Sequence, residues 1–336
     1  ADLFIRPLVS HMLGKRTFGE ETLNAIIARK ITSPLGEEEF VRVNVARIGD
    51  HYVANPTARG ASLTLAMSKC DGIARIPSST DGVPEGHILS VDLLRSRSEI
   101  QNTIIISGSD DIALRLLDTE ISKNSNIRII CSSVGSVGGL LALGKGYAHM
   151  AGSHLLDPET GEYNSGAVSR FLPQLPVHII DFVGRTQGLI VPKGNPRNLE
   201  GVEDLLKSGV RFINRQKGSG TRLFTDYLIS EFNLDSTAIL GYQVEEYTHW
   251  AIAAAVESGD ADVGVGIKAA AMSSSLDFIP LGEEKYQLVV PSIYVKDSEW
   301  FPIIMDVLKG STLSDQIKCL GGYDVSNMGK VDAVIG

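Results

Sequence analysis

The sequence predicts two modules in one chain: a small β-barrel or β-sandwich, then a two-lobed α/β domain. Three observations carry this reading. Residues 1–96 hold short alternating segments broken by turns, and residues 97–336 repeat a strand that runs through Gly and Ser into a helix. Charge divides at the same place. Residues 1–96 carry 11 Lys+Arg and 11 Asp+Glu, whereas residues 97–336 carry 20 and 29, which places the whole net charge of −9 in the second module.

Composition bounds the rest. With 336 residues, 43% hydrophobic and 21% charged, the chain can bury a core and is too apolar to be disordered. No apolar stretch approaches the ~18 residues of a membrane span, and no basic-then-apolar leader opens the sequence. Cys70, Cys131 and Cys319 are odd in number, widely spaced and form no CxxC, which predicts a reduced, cytoplasmic setting. An acidic body argues against direct nucleic-acid contact, because neutralising phosphates needs a basic face. It leaves room for a small anion held by local backbone dipoles.

Along the first module, residues 1–15 read as an amphipathic helix with Leu3, Phe4, Leu8 and Met12 on its apolar side and Pro7 near its start. Three strands follow by alternation: Val41, Val43 and Val45; Leu63, Leu65 and Met67; Leu89, Val91 and Leu93. Turns at Gly49-Asp50, Asp71-Gly72 and residues 81–86 separate them. His51 and His87, near turns, read as solvated.

In the second module, Thr103-Ile104-Ile105-Ile106 is a strand feeding a helix with Ile112, Leu116, Leu117 and Ile121 inward. Ile127 to Ile130 is a second strand, and Gly188 to Val191 a later one. Leu199, Val202, Leu205 and Leu206 mark one helix face, and Leu223, Phe224, Tyr227 and Leu228 another. Repeated strand–helix units predict mostly parallel sheets. The expected lobes are residues 97–185 with 286–336, and residues 186–285. His149 and His178 sit in apolar runs and read as core.

Chemistry is expected where strands end in Gly/Ser before helices: Ser107-Gly108-Ser109, residues 133–136, and Gly218-Ser219-Gly220-Thr221-Arg222. Taken singly, each is an ordinary N-cap. Three such turns at strand C-terminal ends point to a ligand, because helix openings present unpaired N–H groups there. His154, followed by Asp157, and His249, after Thr248 at the start of an Ala-rich helix over 250–257, are further candidates. Arg185, Arg215 and Arg222 supply positive charge. Other motifs fail. Gly139 to Gly146 nearly spells a P-loop but ends in Gly where Ser or Thr should hold Mg²⁺, and there is no GxSxG or HExxH.

The second module resembles the molybdate-type substrate-binding domain of the periplasmic-binding-protein superfamily, which is similar to LysR-type substrate-binding domains. The carrying segments are residues 151–158, 185–191, 212–222 and 262–267. The first resembles the C-terminal β-barrel of the MoeA family of molybdopterin molybdenumtransferases, through residues 4–7, 38–43, 68–72 and 82–86. The resemblance implies a molybdenum-cofactor biosynthesis protein whose preceding catalytic domains are missing from this chain, so no catalytic residue carries over. It implies ligand roles for Ser107, Ser109, Ser136, Ser219, Thr221 and Arg222, with Gly220 in the same turn. Molybdate or tungstate is the expected ligand, with no covalent cofactor and no metal site. The site is expected to carry no facing carboxylate, with Asp110 turned to its own helix. A pterin-type ligand is the alternative, walled by Tyr147, Tyr163, Tyr247 or Trp250. A ligand-responsive part of a transcriptional regulator is a second. MoeA proteins are dimers, which makes a homodimer an open expectation.

Overall fold

The computed structural model describes residues 5–14, 21–57, 70–157 and 160–336. The strand expected at Leu63–Met67 lies outside them. Two compact units emerge: Ala1–Ile106 with Ile121–Ser132 and Ala142–His149, and Ser107–Glu120 with Ser133–Leu141 and Met150–Gly336.

The first unit opens with helix α1 (Ile5–Met12), which carries Pro7 in its first turn, where no backbone bond is lost. Leu8 and Met12 are exposed. Strands follow as β1 (Thr22–Ile27), β2 (Ile31–Thr32), β3 (Glu39–Ile48), β4 (His51–Pro56), β5 (Gly72–Ile76), β6 (Gly82–Val83) and β7 (Ile88–Leu93). A closed barrel of order β1-β4-β3-β5-β7 forms as β7 pairs back on β1, and β2 pairs with β6. The alternation read from the sequence is the cause: Val41, Val43 and Val45 are buried, as is Val91, while Ser90 faces out. Gly82 is obligatory, with φ of 136° and a position where a Cβ would lie 1.9 Å from the Ile31 carbonyl oxygen. Asp71, fully buried, accepts Val45 N–H at 2.9 Å and is paired with Arg95 at 3.0 Å and Arg128 at 2.6 Å. His87 is exposed, while the half-buried His51 ring lies 3.3 Å from the Gly146 carbonyl. His149 is core: Nδ1 accepts Ile105 N–H at 3.1 Å and Nε2 donates to the Arg47 carbonyl at 3.0 Å. Burial, partly offset by that carbonyl, lowers its pKa to about 4.

Helix α2 (Arg97–Gln101), closed by a Ser96/Glu99 capping box, leads into β8 (Thr103–Gly108), whose last two residues belong to the second unit. Then come α3 (Ile112–Asn124), β9 (Arg128–Ser133), α4 (Gly135–Gly144), β10 (Met150–Ser153), α5 (Ser165–Phe171), β11 (Val177–Val191), β12 (Phe212–Arg215), α6 (Gly220–Glu231), β13 (Glu245–Glu246) and α7 (His249–Glu257). The chain finishes with β14 (Val263–Ile267), α8 (Lys268–Met272), β15 (Asp277–Pro291), α9 (Ser292–Asp297), α10 (Trp300–Lys309), α11 (Ser311–Lys318), β16 (Tyr323–Asp324) and β17 (Val331–Ile335).

Within the second unit the strands run β13-β12-β14-β11-β15-β10, with β16 and β17 also on β11. β12 is parallel to both its neighbours, but β11 is antiparallel to β14, β15, β16 and β17. The expectation of a mostly parallel sheet is therefore corrected. Its cause is β11, a 15-residue strand of which the sequence shows only the apolar end Gly188–Val191, because Arg185 interrupts the hydrophobic run. In the fold Arg185 stands directly across from Glu284 of β15, which neutralises it. Leu189, Val191, Phe212 and Val265 pack into one apolar cluster, and Ile190, Ile213 and Ile252 into another, as alternation along a two-faced sheet demands. Two residues expected in buried stripes are not: Leu206 is 40% and Leu223 41% exposed. Val202–Leu206 winds as a 3₁₀ turn, whose three-residue repeat buries Val202 and Leu205 and turns Leu206 outward.

Candidate functional site

A cavity of about 780 Å³ opens in the second unit at the end of β8 and the starts of α3, α4, α6 and α7. Its walls include Ser109, Asp110, Asp111, Gly135, His154, Arg185, Arg215, residues 216–221 and Tyr247 to Trp250. Of the candidates, Ser109, His154, Arg185, Arg215, Ser219, Gly220, Thr221 and His249 line it. Ser136 lies directly behind: its hydroxyl is 3.1 Å from Ser109 Oγ and accepts the His154 backbone N–H at 3.2 Å. Ser107 is buried at the end of β8, away from the walls. Arg222 also turns away, bonded to Asp226 at 2.9 Å and Glu245 at 3.0 Å with its guanidinium 4.4 Å from the Tyr242 ring centre.

The helix openings are built as the sequence suggests. Ser219 caps α6 by accepting Arg222 N–H at 3.2 Å, which leaves the Gly220 and Thr221 amides at the opening. Thr248 caps α7 by accepting Ala251 N–H at 3.0 Å. Gly220 is required by a neighbour, since a Cβ there would lie 2.1 Å from His154 Cε1.

Beneath the cavity sits a buried polar network that the candidate residues only partly foretell. Arg185, 1% exposed, donates to Asp111 at 2.8 Å and to Glu284, with the Tyr286 ring centre 5.0 Å from its guanidinium. Tyr323 donates to Asp111 at 3.1 Å. His154 Nδ1 lies 2.6 Å from Glu284 Oε1, though the ring presents that nitrogen obliquely, and Nε2 lies 2.8 Å from Ser109 Oγ. Burial alone would raise the Glu284 carboxyl; Arg185 and His154 outweigh it and hold the pKa at about 2. The Arg185 pKa is raised, Glu284 and Asp111 overcoming its desolvation.

Several groups keep unused hydrogen-bonding capacity, among them Arg185 Nε, Glu284 Oε2, Arg215 and His249. Arg215 donates to the Tyr247 carbonyl at 3.0 Å and Gln216 Oε1 at 3.2 Å, but its buried Nη1 has no partner. Burial, reinforced by Arg185 and opposed by Glu284, lowers its pKa to about 10, so it stays cationic at neutral pH. His249 Nδ1 is likewise buried and unpartnered; burial, then Arg215, Arg185 and His154, keep the ring neutral by pulling its pKa well below 6.5. The site is not free of carboxylates, contrary to expectation. Asp110 and Asp111 both line it, each already paired, Asp110 with Arg115 at 2.9 Å.

Asp111, Glu284, Tyr286 and Tyr323 were not apparent as site residues from the sequence. A signal exists for one of them: period two places Glu284 on the same strand face as Tyr286, Leu288 and Val290, all buried.

Fold and site together define an α/β domain of the PBP type in a chain that also carries a closed β-barrel. The chain belongs to the PBP superfamily, whose domain matches residues 119–309, and residues 24–94 match the MoeA C-terminal region (domain IV). The uncharacterized protein YvgK of Bacillus subtilis is 34% identical over 228 residues, covering 68% of this chain and 73% of YvgK. Among solved structures, the tungstate ABC transporter protein of Geobacter sulfurreducens aligns at TM-score 0.49 and 15% identity over 65% of this chain and 98% of that one. The molybdopterin biosynthesis moeA protein of Pyrococcus horikoshii aligns at TM-score 0.24 and 22% identity over 27% of this chain and 23% of that one. No helix among the described residues is long and apolar enough to cross a membrane.

Proposed function

We propose that the second unit binds a small oxyanion, molybdate or tungstate foremost, as a sensor or delivery module attached to a MoeA-type C-terminal region in the cytoplasm. The observation that carries this reading is Arg215. It is a buried cation on the cavity wall with an unpartnered Nη1, and among the described residues no carboxylate lies within ion-pair distance of it. An anion supplies the missing charge and acceptor. The open amides of Gly220 and Thr221 add donors, and the helix dipole favours negative charge there.

Calorimetric titration of the full chain with molybdate, tungstate, sulfate and phosphate tests it. Heat with molybdate or tungstate is expected, weakened ~10- to 100-fold by Arg215→Gln, as loss of a hydrogen bond from a charged group implies. Ser219→Ala with Thr221→Ala should weaken it further. Absence of heat with every anion overturns the reading. Tyr247 and Trp250 on the cavity wall favour one second reading, a planar pterin-type anion, which a pterin titration followed by Trp fluorescence would reveal.

A further inference from the structure

The polar network beneath the cavity contains an arrangement that anion binding does not call for. Its hydrogens can be placed one by one. A ring nitrogen and a carboxylate oxygen 2.6 Å apart would repel through their lone pairs, so the neutral form of His154 carries its proton on Nδ1, the nitrogen nearer Glu284, although the ring presents it obliquely. Nε2 is then an acceptor, and at 2.8 Å it takes the Ser109 hydroxyl proton. Ser136 accepts the His154 backbone N–H, leaving its own hydroxyl to donate to Ser109 Oγ at 3.1 Å. In this arrangement Ser109 Oγ, on a residue of the cavity wall, keeps one lone pair unused.

We propose that Ser109, His154 and Glu284 form a nucleophile–base–acid triad that hydrolyses a small carboxylic ester bearing an anionic group. The Ser109–His154 contact of 2.8 Å meets the nucleophile–base requirement of such a site, and Glu284 Oε1, 2.6 Å from Nδ1 but obliquely presented, stands where the orienting acid belongs. Tyr286 stacks on the His154 ring, with centres 5.8 Å apart and planes at 18°, and Gly220 leaves the ring its place. Arg185 donates to Glu284 Oε1, the same oxygen that lies beside His154 Nδ1, and so anchors the acid next to the ring. The Gly220 and Thr221 amides open beside the imidazole and can stabilise a developing oxyanion. The anionic end of the substrate rests on the oxyanion reading above and is held by Arg215.

The chemistry balances without redox change. Ser109 Oγ adds to the ester carbonyl carbon while its proton passes to His154 Nε2. The bond to the alkoxide then breaks, and the departing oxygen takes that proton. Water adds to the acyl-Ser109 ester, again giving its proton to Nε2, and the serine leaves with it. The net reaction is ester plus water to acid plus alcohol.

The test uses the full chain with two probes: a fluorophosphonate, read by intact mass and peptide mapping, and 4-acetoxybenzoate against neutral phenyl acetate, read by phenol release. The proposal expects a single adduct on Ser109 and faster turnover of the anionic ester. Ser109→Ala should abolish both, and His154→Asn should slow acylation ~10²- to 10⁴-fold, the usual worth of a general base. Urea unfolding of each variant, followed by Trp fluorescence, checks that the second unit is folded. A protein that binds oxyanion yet forms no Ser109 adduct overturns the triad and leaves the oxyanion reading standing. Equal labelling in His154→Asn overturns it as well. A Ser109 adduct in a protein that binds no inorganic anion, with no preference for the charged ester, sustains the triad and sinks the oxyanion reading.

Discussion

Replacing Arg185 with Met removes a charge at near-constant length and strands two buried carboxylates, Asp111 and Glu284, which Arg185 now holds together. The removal of one partner from a buried ion pair costs ~3–5 kcal/mol. The titration of Glu284 gives a similar figure: an ordinary carboxyl near 4.5 held at about 2 corresponds to ~3 kcal/mol. The sign follows from the direction. In the native protein this contribution is complete above about pH 4.5 and is lost as pH falls toward 2. In the variant, burial without the guanidinium raises the Glu284 carboxyl, so acidification protonates it and relieves part of the penalty. Both tryptophans, Trp250 and Trp300, lie in the second unit, so urea unfolding followed by Trp fluorescence reports that unit alone. The variant should fall short of the native protein by several kcal/mol near neutrality, with the deficit shrinking in acid. A deficit below about 1 kcal/mol, or one that does not change with pH, would refute the reasoning.

His149 should stay neutral when the exposed histidines charge: its ring signals in a histidine NMR titration should hold still down to about pH 5 and move only near 4. Because its folded pKa lies below the unfolded one, it withdraws stability as pH falls from about 6.5 to about 4, amounting to ~3 kcal/mol. Gly220→Ala places a methyl group 2.1 Å from Cε1 of the buried His154 ring, so the Trp-reported stability should fall by about 1–3 kcal/mol, as overpacking does, and oxyanion affinity ~10-fold in calorimetry.

Local pattern made much of this molecule legible. Valines at positions 41, 43 and 45 announce a barrel strand, and Thr248 announces the start of α7 two residues ahead of Trp250. The Gly/Ser turns mark three of the four helix openings around the cavity. Charge placement in the interior was harder to read. Arg222 shares its turn with Ser219 and Gly220, but Asp226 lies one helical turn on and draws the guanidinium off. Glu284 lies 99 residues from Arg185, and only strand pairing reveals that they meet. The Ser109–His154 pairing has the same character: 45 residues separate two groups that two adjacent loops bring within 2.8 Å.

The Arg185–Glu284 pair also works as a proofreading device for folding. β11 and β15 are long apolar partners, and hydrophobicity alone distinguishes poorly between neighbouring alignments. A one-place slide would set Glu283 or Lys285 opposite Arg185 and reverse the outward and inward faces of β15. A two-place slide would leave the guanidinium facing Gly282 or Tyr286, with Asp111 as its one buried carboxylate partner in place of two. Only one alignment satisfies both the grease and the charge, so misaligned chains are penalised.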